Sequence, residues 1–251
     1  MTTQAPMTST ERRRSILYIA IALILAFALG GGLVKVGAGF AARNSNGITV
    51  TGSAKTSATA DNVVWTLNVS LTRPTVSEAV TKVGNDVTSV IKYLTDGGIP
   101  SDALTLGSVS TYANEQWVNG NNTGKILNYR ASRDVVVRTK DVQLVAKLAQ
   151  GIGSIMQQGV TVNNYGPQYY ISTLPALRPK LLEAAMKDAK VRAEAITKAV
   201  GGKVGAVQDV KAGVFQVTTP DSTMTQDAGA YDTTSIEKTV TSTVSVTFAV
   251  K

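Results

Sequence analysis

The spacing with the strongest claim to chemistry is Ser89-Val90-Ile91-Lys92, an S-x-x-K pattern followed by Ser101-Asp102-Ala103, which begins like S-D-N. In penicillin-recognising enzymes such patterns supply a nucleophilic serine, its lysine and a second polar triplet. Here Ala103 stands where the asparagine belongs, and no K-T-G follows. Ser89 and Lys92 also fall mid-helix beside apolar positions, and short patterns recur by chance, so an ordinary helical role is the stronger expectation. Carboxylates such as Asp134, Asp141 or Glu183 are candidates for hydrolytic work. That reading needs at least two of these groups converging in a cleft, one of them with a strongly perturbed pKa. Asp221, Asp227 and Asp232 share one loop and offer oxygen ligands for calcium, but they lack EF-hand spacing, so a solvated loop is expected. Tyr165, Tyr169 and Tyr170, with Pro167, form an aromatic cluster that suits a small groove or an interface, against a default of core and edge packing.

What is missing bounds the chemistry further. The 251 residues contain no histidine and no cysteine. A Ser-His-Asp triad, a thiol nucleophile, a disulfide framework and the usual zinc sites are therefore excluded. No cofactor and no metal are expected. Gly30-Gly31-Gly32 and Gly151-Ile152-Gly153 do not make a phosphate loop; the second is expected to terminate a helix. The formal charge is +8, of which residues 1–43 carry +4 through Arg12, Arg13, Arg14, Lys35 and Arg43 against Glu11. The rest is interspersed, with no basic stripe between aromatics, so nucleic acid is not an expected partner.

The elements that must position these residues follow in order. Residues 1–14 are a polar tail ending in three arginines. Ser15–Val34 is twenty residues without a charge, long enough as a helix to span ~30 Å of hydrocarbon. The arginines place the tail in the cytoplasm and the remainder beyond the membrane. The segment 15–36 is thus expected to be a single-pass anchor, with a cleaved signal peptide and secretion as the alternative. Residues 37–47 are a linker, and the folded region, 48–251, starts at Ile48 with subunits expected at 48–140 and 141–251.

Ile48–Gly52 suits a short strand. Asn62–Thr72 alternates, with Val63, Trp65, Leu67, Val69 and Leu71 on one face. Thr75-Val76-Ser77-Glu78 is a capping box opening a helix whose stripe is Val76, Val80, Val83, Val87, Val90 and Leu94. Strands are expected at 104–113 and 126–139, joined as a hairpin by the turn-rich 119–124. Asp141 can cap a short helix through Gly151. A strand at 160–172 precedes a long helix from Leu177, with Leu182, Ala185, Ala189, Ala193, Ile196 and Val200 on one face and Gly201-Gly202 as its stop. Strands at 204–215 and 239–250 flank a polar stretch, 218–235, expected to be a mobile loop. The order β-β-α-β-β-α-β-α-β-β predicts an α+β architecture of antiparallel or mixed sheets with helices packed on one face.

These landmarks resemble the SIMPL-domain family of bacterial envelope proteins, the YggE-like group. The resemblance is carried by Ile48-Thr49-Val50-Thr51-Gly52, by Leu94–Thr105, by Tyr129-Arg130-Ala131-Ser132 leading to Val135-Val136-Val137, and by Ala184–Gly205. Val244–Phe248 fits the family's last strand. The sequence departs from the family pattern at Ala60-Asp61-Asn62-Val63 and at Thr234-Ser235-Ile236-Glu237, both turn positions. The resemblance implies an exported α+β protein without a recognised catalytic site, in a family associated with oxidative-stress defence and with ring-like oligomers. The expected function is that of a non-enzymatic, membrane-anchored envelope protein acting by binding or self-assembly as a homo-oligomer, with its protein partner unknown and any stress role indirect. An envelope hydrolase using carboxylate or Ser/Lys chemistry is the alternative.

Overall fold

The computed structural model describes residues 47–251. The expected tail, apolar segment and nearly all of the linker lie outside the described residues. Among the described residues no helix is long and apolar enough to cross a membrane. The architecture is α+β, with a six-stranded sheet ordered β3-β5-β2-β6 and a four-stranded sheet ordered β1-β10-β8, the remaining strands pairing at their sides. The chain divides into two compact units. The larger holds Thr51–Val191 and Lys211–Ser245; the smaller holds Arg192–Val210, Val246–Lys251 and the described residues up to Val50.

The core of the larger unit is built on β2 (Asn62–Arg73), whose Val63, Trp65, Leu67, Val69 and Leu71 are all buried. Period-two alternation put one whole face of this strand into the core, each large side chain contributing roughly 1.5–3 kcal/mol. β2 pairs antiparallel with β5 (Asn121–Thr139) in an unbroken register from Val63↔Thr139 to Arg73↔Tyr129. Helix α1 (Val76–Asp96) covers these strands with Ala79, Val83, Val87, Val90 and Leu94. Thr75 caps it, Oγ1 accepting from Glu78 N at 3.2 Å. It ends where Gly98 takes φ 102° and Ile99 N donates to Leu94 O at 3.0 Å. The predicted stripe is right at its centre and wrong at its start. Val76 is exposed, and Asp86 is buried in the stripe's flank, ion-paired with Lys82.

Two expected single strands are broken and a third is shortened. The stretch 104–113 becomes β3 (Leu104–Leu106) and β4 (Ser110–Val118), parted where Gly107 N donates to Asp134 O at 2.9 Å. The stretch 160–172 becomes β6 (Val162–Asn164) and β7 (Gln168–Tyr170), because Gly166 turns at φ 83° ahead of Pro167. Both pair with β2. The expected strand 204–215 is shortened to β8 (Val204–Ala212), and a separate short strand, β9 (Gln216–Thr218), follows beyond its expected end. Between β5 and β6, Asp141 caps α2 (Val142–Gly151), accepting from Leu144 N at 3.0 Å. Gly151 ends that helix as expected, and a further turn, α3 (Gly153–Gln157), follows directly.

Helix α4 (Leu174–Ala199) starts earlier than expected and takes Pro179 inside. Its buried stripe is Leu181, Ala185, Ala189, Ala193 and Thr197, a strict four-residue step, while Ile196 and Val200 are exposed. The correction has a steric cause. β1 (Gly47–Thr59) crosses this face so closely that a Cβ on Gly52 would stand 2.1 Å from Ala185 O and 2.4 Å from Ala189 N. The small side chains of Ala185 and Ala189 leave room for that approach. In the smaller unit the helix ends at Gly201 (φ 78°), and Lys203 and Lys251 exchange backbone hydrogen bonds of 2.8 and 2.9 Å.

The polar stretch 218–235 leads into β10 (Glu237–Val250) and is tethered at several points, which differs from the mobile loop expected. Gln216 is buried, and its amide donates to Gln226 O at 2.7 Å and accepts from Ala230 N at 2.7 Å. Val217 N donates to Ala230 O, and Asp232 N to Val217 O, both at 2.8 Å. Composition alone could not show this, because the tether is made by Gln216 and the Val217 backbone, both outside the loop.

Candidate functional site

The tyrosine cluster is split by the pleat of β7. Tyr169 is buried in the main core, where burial pushes its phenol above the ordinary tyrosine range and keeps it neutral. Tyr170 points to the other side; its hydroxyl donates to Gln168 Oε1 at 2.9 Å and its ring lies 6.0 Å from that of Tyr231. Tyr165 is 85 % exposed. Tyr165 and Tyr169 meet at a cleft of about 340 Å³ with Asn164, Pro167 and Thr234, and Tyr170 does not line it. The cleft floor is fixed: Asn164 Oδ1 accepts from Trp65 Nε1 at 2.8 Å and from Gly166 N at 2.9 Å.

The hydrolytic candidates occupy separate local roles. Asp134 accepts from Asn68 Nδ2 at 2.6 Å across β2 and β5. Asp141 is the α2 cap, and Glu183 pairs with Lys187 at 2.7 Å on exposed α4 surface, where that lysine's hydrogen bond holds its carboxyl below the usual range. Ser89 and Lys92 line one shallow cleft beside Tyr93, but each is engaged locally. Ser89 Oγ donates to Asn85 O at 3.1 Å, and Lys92 Nζ to Asp96 Oδ2 at 2.8 Å. The described residues hold no group of three or more acidic, histidine or cysteine side chains that could take a metal ion. Of the three loop aspartates, Asp232 serves a different purpose. Burial raises its pKa, but hydrogen bonds from Ser235, Thr234 and Lys238 outweigh this and hold it well below the carboxylate range. Lys238, fully buried, donates to Asp232 O at 2.6 Å and to Oδ2 at 3.1 Å. This polar knot closes the loop onto β10.

The most unusual surface is the β4–β5 hairpin. β2 stops at Arg73, opposite Tyr129, so β5 continues beyond it with β4 alone, by about 25 Å at ~3.4 Å per residue. Asn119 (φ 48°) and Gly120 (φ 81°) make the turn, the two-residue form that matches strand twist. Because two residues suffice, the rest of the expected 119–124 turn is strand. Asn114 Nδ2 donates to Asn128 Oδ1 at 2.6 Å across the ribbon. Tyr112, Trp117, Val118, Ile126 and Leu127 are all exposed, Trp117 at 65 %. Two-stranded ribbons are marginal in water on their own, and clustered exposed apolar side chains mark contact surfaces.

The family model described as SIMPL, protein of unknown function (DUF541), matches residues 48–248. The chain belongs to the SIMPL family. No curated protein matches it. The SIMPL match spans both described units and brings no assigned activity, so the site rests on geometry. Reading of the SIMPL sequence found the hairpin but not its exposed apolar residues. The available signal was the loss of alternation between Tyr112 and Asn128, where apolar residues fall on both parities of the strands.

Proposed function

We propose that this SIMPL protein is a non-enzymatic, membrane-anchored component of the cell envelope, and that its exported domain, residues 48–251, acts through binding and self-association. The observation that carries the reading is the hairpin ribbon, which presents Tyr112, Trp117, Ile126 and Leu127 to solvent. Burying such side chains against a second copy removes from water the apolar area that drives association. The uncharged Ser15–Val34 behind Arg12-Arg13-Arg14 supports the anchor, with the N-terminus cytoplasmic. The absence of histidine and cysteine supports a non-catalytic role and makes any link to oxidative-stress defence indirect. The test is light scattering of the full chain extracted in detergent, beside its intact subunit mass. A discrete oligomer that dissociates in a Trp117→Ser, Ile126→Ser variant is the expected result. A wild-type monomer that captures no partner on crosslinking would sink the proposal.

A further inference from the structure

A second surface of the larger unit is chemically unlike the hairpin. The stretch 219–230 arches over the outer face of β9 and β10 and leaves a cleft of about 560 Å³, within the ~300–1,000 Å³ range of small-molecule sites. Its walls carry hydroxyls from both sides: Thr218, Thr241 and Thr243 from the strands, Ser222, Thr223 and Thr225 from the arch. A second cleft of about 350 Å³ shares Thr218, Ser222, Met224 and Gln226 with the first and is also lined by Tyr231. Among the described residues neither cleft is lined by a lysine or arginine. Of the two acids present, Asp232 is saturated by its own partners, leaving Asp227 as the one charge offered.

The frame of the cleft is hydrogen-bonded at several points. The buried Gln216 amide holds the arch at Gln226 and Ala230. Tyr231 is fixed by its hydroxyl, which accepts from Ile171 N at 3.0 Å, and by its packing against Tyr170. The residue is nevertheless 41 % exposed. Hydroxyl-bearing walls in adjoining clefts, one of them lined by a hydrogen-bonded aromatic, offer the recognition set of a sugar. Each hydroxyl donates and accepts, matching a ring of alcohols, and an aromatic face takes the apolar side of a pyranose. Anions are disfavoured because no cation faces the cleft. An extended peptide is disfavoured because the backbone of Val217, which it would pair with, is already bonded to Ala230 and Asp232.

We propose that this cleft binds a neutral saccharide chain, with Thr241, Thr243 and the arch hydroxyls as hydrogen-bonding contacts and Tyr231 as the stacking platform. The site is separate from the hairpin and stands whether or not the protein self-associates. The test is calorimetric titration of the full chain, purified in a detergent without a sugar headgroup, with maltohexaose, cellohexaose and fully N-acetylated chitohexaose. At least one is expected to bind saturably, with an affinity that added salt leaves unchanged because the ligand is neutral. A Thr241→Val, Thr243→Val variant keeps β-branched strand residues and is expected to bind about tenfold more weakly. Ser222→Ala with Thr225→Ala, on the arch, should weaken binding without touching the sheet. Circular dichroism melts establish that each variant is folded. Saturation by none of the three sugars would overturn the proposal. So would equal binding by wild type and both variants, or displacement of the sugar by a neutral Ser/Thr-rich decapeptide.

Discussion

Asp232 and Lys238 show how differently two partners of one pair can matter. Lys238 lies fully buried, and its ammonium is held by Asp232 Oδ2 and O. Asp232→Ala strands that cation without its carboxylate, and urea melts should show a loss of about 3–5 kcal/mol. Lys238→Met keeps the apolar stem and leaves Asp232 with Ser235 and Thr234, so it should cost clearly less. A second carboxyl sets acid behaviour. Asp61 accepts from the Ser172 hydroxyl at 2.6 Å and from Ser172 N at 2.7 Å, and these bonds, with Lys140 nearby, hold its pKa below the usual range. Asp61 and Asp232 both titrate lower in the fold than in the unfolded chain. The unfolded chain therefore takes up protons first as pH falls, so their stabilisation is full above about pH 5 and is lost progressively below about pH 4. The melting temperature should be flat near neutrality and fall in acid, and Asp61→Asn should flatten part of that fall. Neither network was legible in the sequence, because Asp61 and Ser172, like Asp232 and Lys238, carry no periodic signal that pairs them.

At the scale of elements, local patterns were legible where one face of a strand or helix met one core. The β2 alternation, the Thr75 cap and the Asp141 cap all follow from short-range rules. The α4 stripe did so only at Ala185, Ala189 and Ala193, because the close approach of β1 at Gly52 to Ala185 and Ala189 leaves no mark on a local pattern. Gly52→Ala should therefore be costly despite lying in a strand where alanine is otherwise acceptable. Its Cβ meets helix backbone that cannot rotate away, and a loss of about 3 kcal/mol or more is expected in denaturant melts. The Trp117→Ser, Ile126→Ser variant should behave in the opposite way. Both side chains are exposed on the free ribbon, so the subunit's melting temperature should change little, within about 0.5 kcal/mol of stability, while its assembly changes.

For the whole molecule, the α+β class and the SIMPL membership were both within reach of the sequence, since the order of strands, helices and stops survives local breakage. The division into units was not, because the smaller one gathers residues from both ends of the described chain, and contacts of that range leave no mark on a local pattern. The proposed anchor makes a prediction at this scale as well. An intact mass equal to the full sequence is expected from membrane extracts, whereas a chain shortened by about forty residues would show signal cleavage.

The eleven register pairs joining β2 to the distal half of β5 have a mechanical meaning. The ribbon's tip and these rungs lie on one continuous strand. A pull on the tip along that strand loads the rungs side by side in shear, so they must yield together, whereas a pull across the sheet would peel them one by one. The hairpin is thus a handle set in the stiff direction of the fold, able to pass tension from whatever grips it into the core without first unravelling its own root.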